Sequence, residues 1–178
     1  MKKAVIGIVE TQVQAEIIVQ KLQGAGFGMN EISVLLPDIA GSQTVAHEKH
    51  TKAPEGATAG ASAGGLIGGA LGVLAGIGAL AIPGLGPFIA AGPIMAGLGG
   101  IAAGAAVGGF TGALVGMGIP EFEARMYEGR LRAGNILIAV HTEDVDNRKL
   151  AIELFRTSGV KDVSTQSEGA PRRSHARP

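Results

Sequence analysis

The stretch GASAGGLIGGALGVLAG, residues 60–76, returns a glycine at every fourth position: Gly60, Gly64, Gly68, Gly72 and Gly76. Glycine in a helix interior costs roughly 1 kcal/mol against alanine. A helical spacing of glycines therefore makes physical sense where a second backbone approaches closely, as in small-xxx-small packing. Gly56 extends the series backward, and a second series runs through Gly100, Gly104, Gly108, Gly112 and Gly116. Between them, IPGLGPFIAAGPI carries Pro83, Pro87 and Pro93, which interrupt a helix. The spacing predicts a hairpin of two helices, about 60–82 and 94–119, packed through these eleven glycines.

From Gly56 to Pro120 the chain has no Asp, Glu, Lys, Arg or His, and 21 of its 30 glycines lie there. A helix of 23 residues is about 35 Å long, against about 30 Å for a hydrocarbon core. The run thus reads as a membrane hairpin, and lipid is an expected partner. Lys49 and Lys52 before it, and Arg125, Arg130 and Arg132 after it, place the flanks on the cytoplasmic side by the positive-inside rule. The strong apolar residues of the first helix contribute only about 2 to 5 kcal/mol to insertion. A soluble cytoplasmic assembly that buries the hairpin between copies is the alternative. Either way a homo-oligomer is expected.

The flanks carry all the charge, with 15 basic and 15 acidic residues in balance, which argues against a nucleic-acid partner. Absence of cysteine excludes disulfides, thiolate metal sites and cysteine nucleophiles. The apolar stretch Ala4–Val9 is too short for the core of an export signal.

KKAVIGIV reads as a buried strand, and Thr11 with Gln14 as a capping box. Ala15, Ile18, Val19 and Leu22 form one helix face, Gly24 and Gly26 end it, and EISVLL is a second strand. The same order recurs late in the chain. NILIAVHT is a strand, Asp144 or Asp146 caps a helix whose Leu150, Ala151, Leu154 and Phe155 share a face, Gly159 ends it, and VKDVSTQ follows. Two such units combine most economically into one four-stranded sheet with both helices on one side. The expected fold is therefore α+β: a ferredoxin-like βαβ-βαβ domain split by a glycine-zipper helical hairpin. Its parts are a first half (1–38), a polar linker (39–55), the hairpin (56–119), an amphipathic helix (120–133), a second half (134–167) and a disordered basic tail (168–178).

Candidate chemistry is thin. His47 and His50 have one-turn spacing but lie in a polar segment without a third ligand, so no metal is expected. The glycines of GAGFG, residues 24–28, follow a helix rather than opening one, which argues for termination and against a nucleotide loop. Tyr127 reads as packing, and Ser33 and Ser164 have no base partner visible in the sequence. No catalytic residue and no cofactor are expected.

The segment GIPEFEARMYEGRLRAGNILIAVHTED, with Pro120, Glu121, Ala124, Tyr127, Glu128 and Gly134 ahead of a strand containing Leu137 and Val140, resembles the bacterial general stress proteins of the heat-induced type. The resemblance runs to about Ser167 and implies a non-enzymatic, membrane-associated stress-response protein. In layout the chain is also similar to the small membrane-anchored component of the quinol-oxidising alternative complex III, which joins an α/β domain to two membrane helices. That likeness implies an accessory subunit of a quinol-linked electron-transfer complex, with a membrane protein partner. A soluble oligomeric effector sensor is the third reading.

Overall fold

The computed structural model describes residues 3–38, 78–82, 85–94 and 109–167. Among these described residues, six strands and four helices follow in the order β1 (Lys3–Val9), α1 (Gln12–Gly24), β2 (Ile32–Pro37), β3 (Gly78–Ile82), β4 (Gly86–Ala91), α2 (Gly109–Gly116), α3 (Glu121–Arg132), β5 (Ile136–Thr142), α4 (Val145–Thr157) and β6 (Lys161–Ser167). The strands form one antiparallel sheet in the order β3-β4-β2-β5-β1-β6. The α+β class read from the flanks is what the chain adopts.

The central strands are apolar on both faces. Val5 and Val9 of β1, Ile32, Val34 and Leu36 of β2, and Ile136, Ile138 and Val140 of β5 point into one core, closed by Ala15, Ile18, Val19 and Leu22 of α1 and by Ala151 and Phe155 of α4. The alternate residues Ala4, Ile6 and Ile8, Leu35, and Leu137 and Ala139 build a second core on the opposite face. Phe110, Ala113 and Leu114 of α2 and Ala124, Tyr127 and Leu131 of α3 cover it. The molecule thus has three layers, because a strand with two apolar faces leaves neither of them to water.

Several helix ends follow their sequence signals. Thr11 caps α1, its Oγ1 accepting from the Gln14 N–H at 3.2 Å. The Gln14 side chain does more than complete a capping box. Its amide oxygen accepts from the Glu10 N–H at 3.3 Å, while its NH2 donates to the carbonyls of Ser158 and Gly159 at 3.1 and 3.3 Å. It thereby ties the start of α1 to the end of α4. Asp144, not Asp146, caps α4, accepting from the N–H groups of Asp146 and Asn147 at 2.7 and 2.8 Å. Those backbone hydrogen bonds hold its carboxyl below the ordinary aspartate value. Of the four residues expected on the inner face of α4, Ala151 and Phe155 are buried and Leu154 is half-buried, but Leu150 is 36% exposed.

The helical hairpin expected over 56–119 needs correction where it is described. Residues 78–82 and 86–91 are strands: β3 pairs with β4 from Gly78 opposite Ala90 to Ile82 opposite Gly86. The strand β4 then joins β2, with Val34 opposite Ala91 and Pro37 opposite Phe88. Proline recurring at 83, 87 and 93 prevents a helix from running through this stretch, and adding to an open sheet edge satisfies its backbone instead. Of the second expected helix, 94–119, the described part from Gly109 on is the short α2, which ends at Gly116 in a turn where the Ile119 N–H returns to the Leu114 carbonyl. Among the described residues no helix is long and apolar enough to cross a membrane. Residues 56–77 and 95–108, the polar linker 39–55 and the tail 168–178 lie outside the described residues.

Gly92 is where the chain turns off β4 toward the second core. Its φ is +81°, and a Cβ there would stand 2.0 Å from the Ile32 carbonyl oxygen. Gly86 has φ +98° but open space around the same position. Gly86→Ala is expected to cost about 1 kcal/mol, from backbone strain alone. Gly92→Ala, which adds a backbone clash, is expected to cost at least about 2 kcal/mol more. Urea denaturation of the two variants beside the parent chain measures both.

Candidate functional site

Of the eleven glycines singled out by their spacing, Gly56, Gly60, Gly64, Gly68, Gly72, Gly76, Gly100, Gly104 and Gly108 lie outside the described residues. Gly112 and Gly116 are in α2. Gly112 lines a groove of about 620 Å³ between α2 and α3, together with Val115 of its own helix and Gly129 of α3. Among the described residues, a Cβ on Gly112 or Gly129 would meet nothing within 4 Å.

The groove's other wall is charged. Glu121, Arg125, Glu128 and Arg132 of α3 all line it. Spacings of four, three and four residues keep them within about 60° of arc on the helix. Arg125 Nη2 donates to Glu121 Oε1 at 2.6 Å, and Arg132 Nη2 to Glu128 Oε1 at 2.6 Å. Both are i,i+4 pairs along α3. Glu128 also accepts from the Thr111 hydroxyl of α2. Partial burial pushes the Glu128 carboxyl up, but the Thr111 and Arg132 hydrogen bonds outweigh it and hold the group below 4.5.

A second constellation was not legible as a pair. Ser33, fully buried in β2, sits 2.7 Å from His141 Nε2 at the end of β5, and Ile94 donates its N–H to Ser33 Oγ at 3.0 Å. A serine beside an imidazole has the makings of an activated nucleophile. Here the hydroxyl oxygen is already an acceptor for Ile94, and no solvent reaches it. The pair pins the exit of the inserted β-hairpin to the sheet. His141, Gln166 and Ser167 are the polar lining of the adjoining apolar cavity of about 60 Å³. The available sequence signal is a polar interruption of an apolar strand, Ser33 in ISVLL and His141 with Thr142 at the end of ILIAVHT.

Tyr127 is buried in the second core, and its hydroxyl meets Ser164 Oγ at 2.7 Å on β6. Gln166 donates to Ser164 Oγ at 3.1 Å and to Glu123. Arg130 pairs with Asp162 at 2.8 Å. Burial raises the Tyr127 phenol to about 12, so it stays protonated and serves as a latch between α3 and the edge strand. Glu31, Glu143, Asp144 and Asn147 line a surface recess beside His141. No group of three or more His, Asp or Glu among the described residues could hold a metal ion. His47 and His50 lie outside the described residues. The glycines of GAGFG end α1: Gly26 has φ +97° and the Phe27 N–H returns to the Leu22 carbonyl at 3.1 Å.

No known protein family, curated protein or solved structure matches the chain.

Ser33→Ala leaves the Ile94 N–H buried without its acceptor and removes a partner of His141. A loss of about 1 to 3 kcal/mol is expected in urea denaturation, a penalty set by the stranded groups more than by the bond itself. Glu128 has a lowered folded pKa, so its contribution is present above the unfolded value of 4.5 and lost as pH falls through the folded value. The stability gap between the parent chain and Glu128→Gln should therefore be full near neutrality and close below pH 4.5. Denaturation midpoints of both proteins across that range check it.

Proposed function

We propose that the chain is a non-enzymatic, membrane-associated stress-response protein that self-associates through helix-borne glycines, with its α+β domain at the cytoplasmic face. The contiguous strands β2-β5-β1-β6, with α1 and α4 on one face, support a ferredoxin-like reading of that domain. The observation that carries the functional reading is the charge-free run of residues 56–120 with its two period-four glycine series. The stress-response assignment rests on the resemblance of residues 118–144 to the heat-induced general stress proteins.

The manner of membrane association follows from lengths. Residues 78–94 and 109–119 include β3, β4, α2 and parts of the second core, which leaves the charge-free stretches 56–77 and 95–108 for lipid. At 22 and 14 residues, the first suffices for one crossing of about 20 residues and the second for none. A chain that departs from the domain and rejoins it this way suits shallow or re-entrant insertion better than a two-crossing hairpin.

The test is fractionation of cells that express the untagged protein, beside a variant carrying Leu71→Glu and Leu74→Lys. The parent chain is expected in the membrane pellet at physiological salt. The variant is expected in the supernatant with an unchanged melting temperature. Recovery of the parent chain from the soluble fraction alone would sink the membrane reading.

A further inference from the structure

We propose that the α2–α3 face is a two-fold interface between two copies of this chain, with α3 of one copy antiparallel to α3 of the other. The proposal rests on the self-association just proposed and names the surface that carries it. Its warrant is the order of charge along the groove. Glu121, Arg125, Glu128 and Arg132 alternate in sign on one stripe of the helix. Reversing that stripe about the point between Met126 and Tyr127 sets Glu121 opposite the partner's Arg132 and Arg125 opposite the partner's Glu128. All four encounters of the stripe are then between opposite charges. A shift of one helical turn in either direction brings like charges together, so the pattern selects a single register as well as an orientation.

The surface around the stripe suits close approach. Gly112 and Gly129 present bare backbone to the groove, with no atom of the described residues within 4 Å of where a Cβ would stand. Val115 at 41% exposure lines the groove, and Phe122, 80% exposed, projects from the first turn of α3. Isologous contact uses one patch twice, so each copy would supply the same glycines, apolar residues and alternating charges. Within one chain each guanidinium meets one carboxylate four residues away. Across the two-fold axis each would meet a second, and the four pairs would become a network.

Sedimentation equilibrium of the full chain at low ionic strength, solubilised in mild detergent where needed, tests this with three variants. Arg125→Glu faces the partner's Glu128 with a like charge and is expected to raise the dimer dissociation constant at least tenfold. Arg125→Glu combined with Glu128→Arg places like charges at both i,i+4 spacings within the helix, yet keeps every encounter across the axis between opposites. It is expected to restore the parent dissociation constant to within about threefold. Gly112→Leu, which has room to fold, is expected to fill the groove and weaken the dimer at least tenfold.

A parent chain that stays monomeric at 100 micromolar overturns the proposal. So does a double variant no better than Arg125→Glu, since the charges would then act only inside their own helix. A dimer insensitive to Arg125→Glu and Gly112→Leu but lost in Gly68→Leu overturns this face while leaving self-association through the glycine series intact. Membrane fractionation, carried out on the same variants, reports separately on the membrane reading.

Discussion

The structure depends on one constraint: the central strands carry apolar side chains on both faces, and an antiparallel sheet of that kind needs a cover on each side. α1 and α4 close one face with residues from the two flanking units. The second face, with Ala4, Ile6, Ile8, Leu35, Leu137 and Ala139, is left to whatever lies between the units in sequence. That requirement recruits the end of the glycine-rich run. Phe110 and Leu114 of α2, and Tyr127 and Leu131 of α3, are each fully buried against the sheet. Full burial of a large apolar side chain is worth roughly 1.5 to 3 kcal/mol. Drawing 109–119 away into lipid would expose the second face of the sheet, so the fold itself opposes a hairpin built from that stretch.

The same constraint explains which parts were legible from sequence. IGIV and ILIAV are continuous apolar runs, and they announced buried strands correctly. They also implied a second covering layer, which a four-stranded sheet with two helices on one side does not supply. The strands β3 and β4 are not legible in the sequence, for a compositional reason. GALAI and GPFIAA are glycine, alanine and scattered apolar residues, which satisfy a helical and an extended pattern about equally. Their assignment was settled by the open edge of β2, a tertiary demand that no local window contains.

The polar pairings were illegible for a different reason. Ser33 and His141 are 108 residues apart, and their contact depends on the antiparallel register that sets Ser33 opposite Ala139. Alternation then places Ser33 and His141 on the same face, two residues apart along β5. Tyr127 and Ser164 meet in the same way, through the packing of α3 across the sheet onto β6. Each residue was visible as a polar interruption or a lone aromatic. Partner identity required the strand order. The ion pairs within α3 needed no such information, because i,i+4 spacing brings their ends together wherever the helix forms.

The α2–α3 groove gains its meaning from what these local terms leave unexplained. An exposed i,i+4 pair contributes about 0.3 to 0.5 kcal/mol, and glycine at a helix interior costs about 1 kcal/mol against alanine. Gly129 lies inside α3, toward its C-terminal end, with nothing among the described residues within 4 Å of the place its Cβ would take. For the isolated domain, alanine there would be the more stable choice, and the two ion pairs beside it offset the glycine only in part. Gly112 across the groove has the same character, in a helix whose other members Phe110, Ala113 and Leu114 are fixed by the core. Two helix-weakening residues that line one groove, with no described atom where either side chain would stand, are costly unless a further backbone fills that groove. A charge order that matches its own reversal indicates whose backbone it is.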